Sequence, residues 1–288
     1  MKRILENVGN SRFCFGKIEK SSKQKRSNSV FERDKFKLLP HSKTSQATIF
    51  IIIAIVIVAG LLAYFFARDN LERTISPEVQ PLYDFVDDCI RKTAEDALYH
   101  ISDTGGYFTA PELSADNHIA YYFYNEENYM PSQEKIEEEI NTYVNTMLFF
   151  CTKNFEDFPD YTIEQGMIET NTIIEDEKVM FTVDYPLSIQ KAESSYSFKI
   201  FTHEIPVRLG IIYNVIEKIM EEQMLEKDAI CMNCLGEVAE EADVFISLRN
   251  IDEENVIFYI IDYNSEINGE IFAFSFANRY EIENESEL

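Results

Sequence analysis

The chain has 288 residues, 45% of them hydrophobic and 27% charged, with a formal net charge of −25. That is long and apolar enough for a sizeable core, which excludes a small disulfide-stapled module. The charge is unevenly spread: residues 1–46 hold 12 Lys/Arg and 4 Asp/Glu, leaving 14 and 47 for the remainder. A remainder near −33 repels phosphate and excludes nucleic acid as a partner.

In chain order, residues 1–46 are Lys/Ser-rich with few apolar clusters, and they read as a largely disordered basic tail. Residues 47–67, ATIFIIIAIVIVAGLLAYFFA, carry no charge. At about 1.5 Å per residue they reach about 31 Å, the thickness of a bilayer's hydrocarbon core. A secretory signal has a shorter apolar region and a small-residue cleavage site after it, whereas Arg68 and Asp69 follow here, so the segment reads as an uncleaved anchor. Lys35, Lys37 and Lys43 precede it, which keeps the N-terminus cytoplasmic and the acidic remainder extracytoplasmic. The lipid bilayer is thus the first expected partner, and anionic headgroups would also attract the tail.

At the membrane boundary stands Lys43-Thr44-Ser45-Gln46-Ala47-Thr48-Ile49-Phe50. It resembles the archaeal class III (type IV pilin-like) signal, in which a basic and a small residue precede a Gln that opens the hydrophobic helix. The resemblance implies cleavage by a prepilin-type peptidase between Ser45 and Gln46, with Thr48 at the +3 position. Pilins that assemble usually carry Glu at +5, where this chain has Phe50. That argues against assembly into a filament.

Residues 68–76 read as a polar linker, and 77–280 as an acidic α+β ectodomain, with a division into lobes at 77–206 and 207–280 as an alternative. Pro77 and Pro81 open a helix with the stripe Val79, Leu82, Tyr83, Val86, Ile90, Ala97, Leu98 and Ile101, and Gly105-Gly106 end it. Residues 107–131 are aromatic without clear period and read as an ordered loop over the core. Ser132 caps a second helix carrying Ile136, Ile140, Tyr143, Val144, Met147, Leu148 and Cys151, with Glu137, Glu138 and Glu139 mostly on its wet side. Residues 161–205 read as three antiparallel strands with turns at 176–178 and 191–193. A helix over 207–225 and a short one over about 230–241 follow. Strands near 244–249, 256–263 and 270–280 close the domain, the last two joined at Asn268-Gly269, a hairpin signal. Residues 281–288 read as a loose acidic tail.

Cys14 lies in the tail; Cys89, Cys151, Cys231 and Cys234 fall where oxidation is permitted. Four cysteines allow three connectivities. Cys89 and Cys151 sit on helical stripes and could bridge two helices, leaving Cys231 and Cys234 to pair locally, while buried free thiols are the alternative. Cys231-Met-Asn-Cys234 is also a C-x-x-C, the redox pattern when it opens a helix after a strand; following a helix, it reads as structural. Carboxylates are too numerous for any pair to mark a hydrolase, and the acidic surface admits only weak, diffuse divalent-cation binding. Asp262-Tyr-Asn264-Ser-Glu266-Ile-Asn268-Gly269 has oxygen side chains at alternate positions, yet its Gly is misplaced for a calcium loop and the hairpin reading prevails. No histidine spacing, phosphate loop or nucleophile motif indicates a metal, cofactor or catalytic residue. Tyr121, Tyr122, Phe123 and Tyr124 read as core or as a recognition patch, and Asn284-Glu-Ser286 is a glycosylation sequon. The resulting expectation is a single-pass envelope protein with a non-enzymatic binding or structural ectodomain that contacts other envelope proteins. A pilus-like subunit is the first alternative, and a tethered thiol oxidoreductase or hydrolase the second.

Overall fold

The computed structural model describes residues 50–60 and 75–280. The chain divides into two units near residue 72. Of the first, residues 50–60 form a helix (α1) whose side chains are all exposed. Among the described residues, no helix is long and apolar enough to cross a membrane. The rest of the 47–67 segment, the Ser45–Gln46 junction and Asn284 lie outside the described residues.

The second unit is α+β. Its first helix, α2 (Gln80–Asp103), takes Pro81 into its opening turn, where a missing N–H costs nothing. Leu82, Val86, Cys89, Ile90, Ala97, Leu98 and Ile101 are buried along one face, as the stripe predicts. α3 (Gln133–Thr152) begins at Ser132, whose Oγ accepts the Lys135 N–H at 3.2 Å. Its core face is the i, i+4 row Ile136, Ile140, Val144 and Leu148. Only Glu138 of the three glutamates is fully on the wet side. The Glu139 carboxylate accepts the Phe108 N–H at 2.9 Å, and that of Glu137 accepts the Ile174 N–H at 2.8 Å. Loop and sheet edge are thereby tied to the helix by backbone groups that the sequence pattern does not reveal.

β4 (Thr162–Gln165) and β5 (Glu169–Ile174) pair with one edge of β6 (Val179–Lys191), and β7 (Ser194–Ile205) with the other. β4 and β5 are one strand interrupted opposite Tyr185-Pro186. Pro186 has no N–H for the ladder, and its carbonyl instead accepts the Gly166 N–H at 2.7 Å. This is the expected three-stranded meander, with a proline bulge in its middle.

The segment 107–131 departs from its reading as a loop. It contains β1 (Ser114–Ala115), β2 (Ile119–Tyr124) and β3 (Glu127–Asn128), with β1 and β3 sharing one edge of β2. Asp116-Asn117 and Asn125-Glu126 all have positive φ, the two-residue turns that match hairpin twist. β2 is buried on both faces, so its sequence does not alternate.

After α4 (Leu209–Leu225) and α5 (Met232–Ala242) come β8 (Phe245–Asn250), β9 (Asn255–Ile267) and β10 (Glu270–Arg279), in the sheet order β1-β2-β10-β9-β8. Asn268 and Gly269 make the β9–β10 turn with φ of 55° and 82°. The β2–β10 pairing is parallel and joins residues from both sides of position 206. One buried cluster likewise runs from Val79 to Tyr280, so residues 75–280 do not separate into two lobes. Phe258, Phe272, Phe274 and Phe276 fill its centre, each contributing about 1.5–3 kcal/mol on burial.

Candidate functional site

The most built polar feature lies where α4 begins. Arg208 caps α4, and its backbone N–H donates to Ser265 Oγ at 2.9 Å. Its guanidinium donates to Asp262 Oδ1 at 3.3 Å and to the Ala242 carbonyl, the end of α5, at 2.5 Å. The Asp262 side chain is 0% exposed and that of Arg208 12%. A charge so far from water persists only when paired and hydrogen-bonded, and Asp262 also accepts the Asn264 N–H and the Ser265 hydroxyl. Three extra residues of β9, 263–265, loop out between the partners of Ile271 and Phe272 to make this possible. The alternating oxygens of 262–269 are therefore committed to a hairpin and an ion pair. Among the described residues no group of three or more His, Cys, Asp or Glu side chains is placed to hold a metal.

Above this floor opens a cleft of about 750 Å³, walled by Ile211, Asn214 and Lys218 of α4, by Asp176 and Glu177 of the β5–β6 turn, and by Glu241 and Asp243 at the end of α5. Lys218 donates to Glu241 at 2.7 Å and Asn264 to Asp243 at 3.0 Å. Four rim carboxylates against one rim lysine make its mouth electronegative.

The cysteines pair as Cys89–Cys151 and Cys231–Cys234, with sulfurs at bonding distance and Cα separations of 5.6 and 5.3 Å. The first ties α2 to α3. The second sits at the start of α5: Cys231 is its N-cap and accepts the Cys234 N–H on Sγ at 3.3 Å. The C-x-x-C thus opens a helix even though α4 precedes it, because residues 226–230 intervene. Gln223, buried, holds that connection by donating to the carbonyls of Glu226 and Ala229 while accepting from Tyr280. Glu222 Oε2 stands 4.0 Å from Cys234 Sγ.

Tyr121–Tyr124 do not form one patch. Tyr122 and Phe123 are core, Tyr122 stacked on Phe276 at 4.8 Å with its hydroxyl donating to the Gly105 carbonyl. Tyr121 and Tyr124 reach the surface, where they engage Asn255 and Arg279. His100 bonds to the Phe108 carbonyl and His118 lies in the β1–β2 turn, so neither sits in a ligand cluster. Sequence reasoning missed Arg208, Asn214, Lys218 and Gln223. The one local sign of Arg208 is its positive charge just before an amphipathic helix, at the end where a cation is unfavourable.

No family model matches this chain, and no curated protein or solved structure is significantly similar to it.

Proposed function

We propose that the protein is a single-pass, membrane-anchored component of the cell envelope, with a cytoplasmic basic tail and an extracytoplasmic domain that binds a partner. One observation carries this reading: a 21-residue charge-free run separates a basic tail from an acidic remainder. The two cysteine pairs support it, since both fall beyond that run, where an oxidising compartment would keep them bridged. The cleft over Arg208 is the surface we assign to the partner, and its electronegative rim favours a cationic segment. Alkaline carbonate extraction of host membranes, with protease treatment of intact cells, tests the anchor. Retention in the pellet and cleavage of residues 75–280 from outside are expected; release, or cleavage only after lysis, overturns the reading. Replacing Glu177 and Asp243 together by their amides should then reduce cross-linking to the partner.

The Lys43–Phe50 segment favours a second reading, a pilin-like subunit processed before Gln46. Mass spectrometry of the mature N-terminus separates the two. A chain starting at Gln46 supports processing, and one starting at Met1 or Lys2 supports the plain anchor.

A further inference from the structure

We propose that Cys231–Cys234 is an exchangeable disulfide that accepts two electrons from cysteine pairs of other polypeptides, a chemistry beyond partner binding. Four observations converge on it. Cys231 caps α5, so its sulfur faces the partial positive charge of a helix N-terminus. The Cys234 N–H already donates to that sulfur, and the same bond would hold a thiolate once the bridge opens. Stabilising the reduced form makes a disulfide a better oxidant. The bridge joins residues only three apart, so closing it removes little freedom from the unfolded chain, and little stability opposes its opening. Access is available, because both cysteines are partly exposed and Met232 and Asn233 between them are exposed.

The surroundings suit the chemistry. The sulfurs border a narrow, nearly filled crevice of about 10 Å³ lined by Ile219, Ile230, Leu235, Val238 and Phe258, so an incoming cysteine meets the pair at its exposed face. The charged groups that face the pair across this crevice are Glu222 and Lys218 of α4, while β9 contributes apolar Phe258. Lys218 is engaged by Glu241, so the Glu222 carboxylate, 4.0 Å from Cys234 Sγ, is the proton relay for that thiol.

A substrate thiolate attacks Cys231 Sγ, forming a mixed disulfide as the Cys231–Cys234 bond breaks. Cys234 leaves as thiolate and takes a proton through Glu222. The second substrate thiol, once deprotonated, attacks the substrate sulfur of the mixed disulfide, and Cys231 leaves as a thiolate held by the Cys234 N–H. The substrate dithiol has become a disulfide, and the Cys231–Cys234 pair has gained two electrons. A small-molecule disulfide of the glutathione class restores the pair by the reverse exchange.

The test uses the full-length protein in detergent, equilibrated over graded ratios of reduced to oxidised glutathione. Free thiols are trapped by alkylation, and each cysteine is read by peptide mass mapping, with Cys89–Cys151 as internal control. Cys231–Cys234 should be half-reduced at a ratio of reduced to oxidised buffer roughly 100-fold lower than its control. In the Cys234→Ser variant, Cys231 should form a mixed disulfide with oxidised glutathione at least about 10-fold faster than Cys234 does in the Cys231→Ser variant. Joint reduction of the two bridges, or equal rates in the two variants, overturns the proposal. Neither result bears on whether residues 47–67 span a membrane, so the two readings fail separately.

Discussion

The α2–α3 region and the α4–α5 region each carry one cysteine bridge, and the two are built in opposite ways. Cys89 is 2% exposed in the body of α2, and its partner Cys151 lies in the last turn of α3, where the helix end is negative and disfavours a thiolate. Sixty-two residues separate the pair, so the bond closes a long loop across the main core. Cys231 and Cys234 sit instead at the positive end of a short helix, three residues apart and partly exposed. The same bond therefore serves two ends. Where it closes much chain inside a core it constrains the unfolded state, and where it closes little chain at a helix start it is free to exchange.

The largest expected effect comes from removing the long bridge. In the chain-entropy account, replacing Cys89 and Cys151 by Ala costs about 4 kcal/mol, whereas replacing Cys231 and Cys234 costs about 2 kcal/mol or less. Urea titration of both double variants checks the order, and equal losses would erase the distinction between the regions.

A pH titration probes the core that both regions share. Burial pushes the Tyr280 hydroxyl up to about 12, and that of Tyr122, also by burial, well above the ordinary tyrosine value of 10.0. A raised folded pKa means the native state holds its proton after the unfolded chain has lost it. Stability from Tyr280 is fully present below pH 10 and is lost between about 10 and 12, by up to roughly 3 kcal/mol. Tyr280→Phe should flatten that part of the slope in alkaline unfolding curves. An unchanged slope would mean that Tyr280 titrates normally.

Gly210 is where the α4–α5 region meets the meander. A Cβ there would stand 2.7 Å from the Glu175 carbonyl oxygen, a backbone atom that cannot swing aside. Gly210→Ala should therefore cost about 1–3 kcal/mol by thermal denaturation. A neutral result would show that the β5–β6 turn yields. The smallest effect is expected at the cleft rim, where the Lys218–Glu241 pair is exposed on both sides. Lys218→Ala should change stability by less than about 0.5 kcal/mol, leaving any change in capture of a cationic partner, expected as a gain, attributable to recognition.

Local patterns made much of this fold legible. The α2 and α3 stripes, the Ser132 cap, the meander turns and the Asn268-Gly269 hairpin are each written within a few consecutive residues, because a helix face or a turn is decided over that distance. β2 was not legible. A strand buried on both faces shows no alternation, and its main partner, β10, lies about 150 residues away. The turn pairs Asp116-Asn117 and Asn125-Glu126 were the one local sign of it.

By itself, the sequence determined the uneven charge, the apolar run at 47–67, the α+β class and the four cysteines of the acidic remainder, all of which follow from composition and short-range period. Only the tertiary structure decided which cysteines meet, that Arg208 and Asp262 share a desolvated ion pair, and that Cys231 stands at a helix start with Cys234 facing Glu222. The Cys89–Cys151 bridge and the Arg208–Asp262 pair depend on contacts between residues far apart in the chain. Their free energy resides in burial and in the alignment of partners, which no local pattern records.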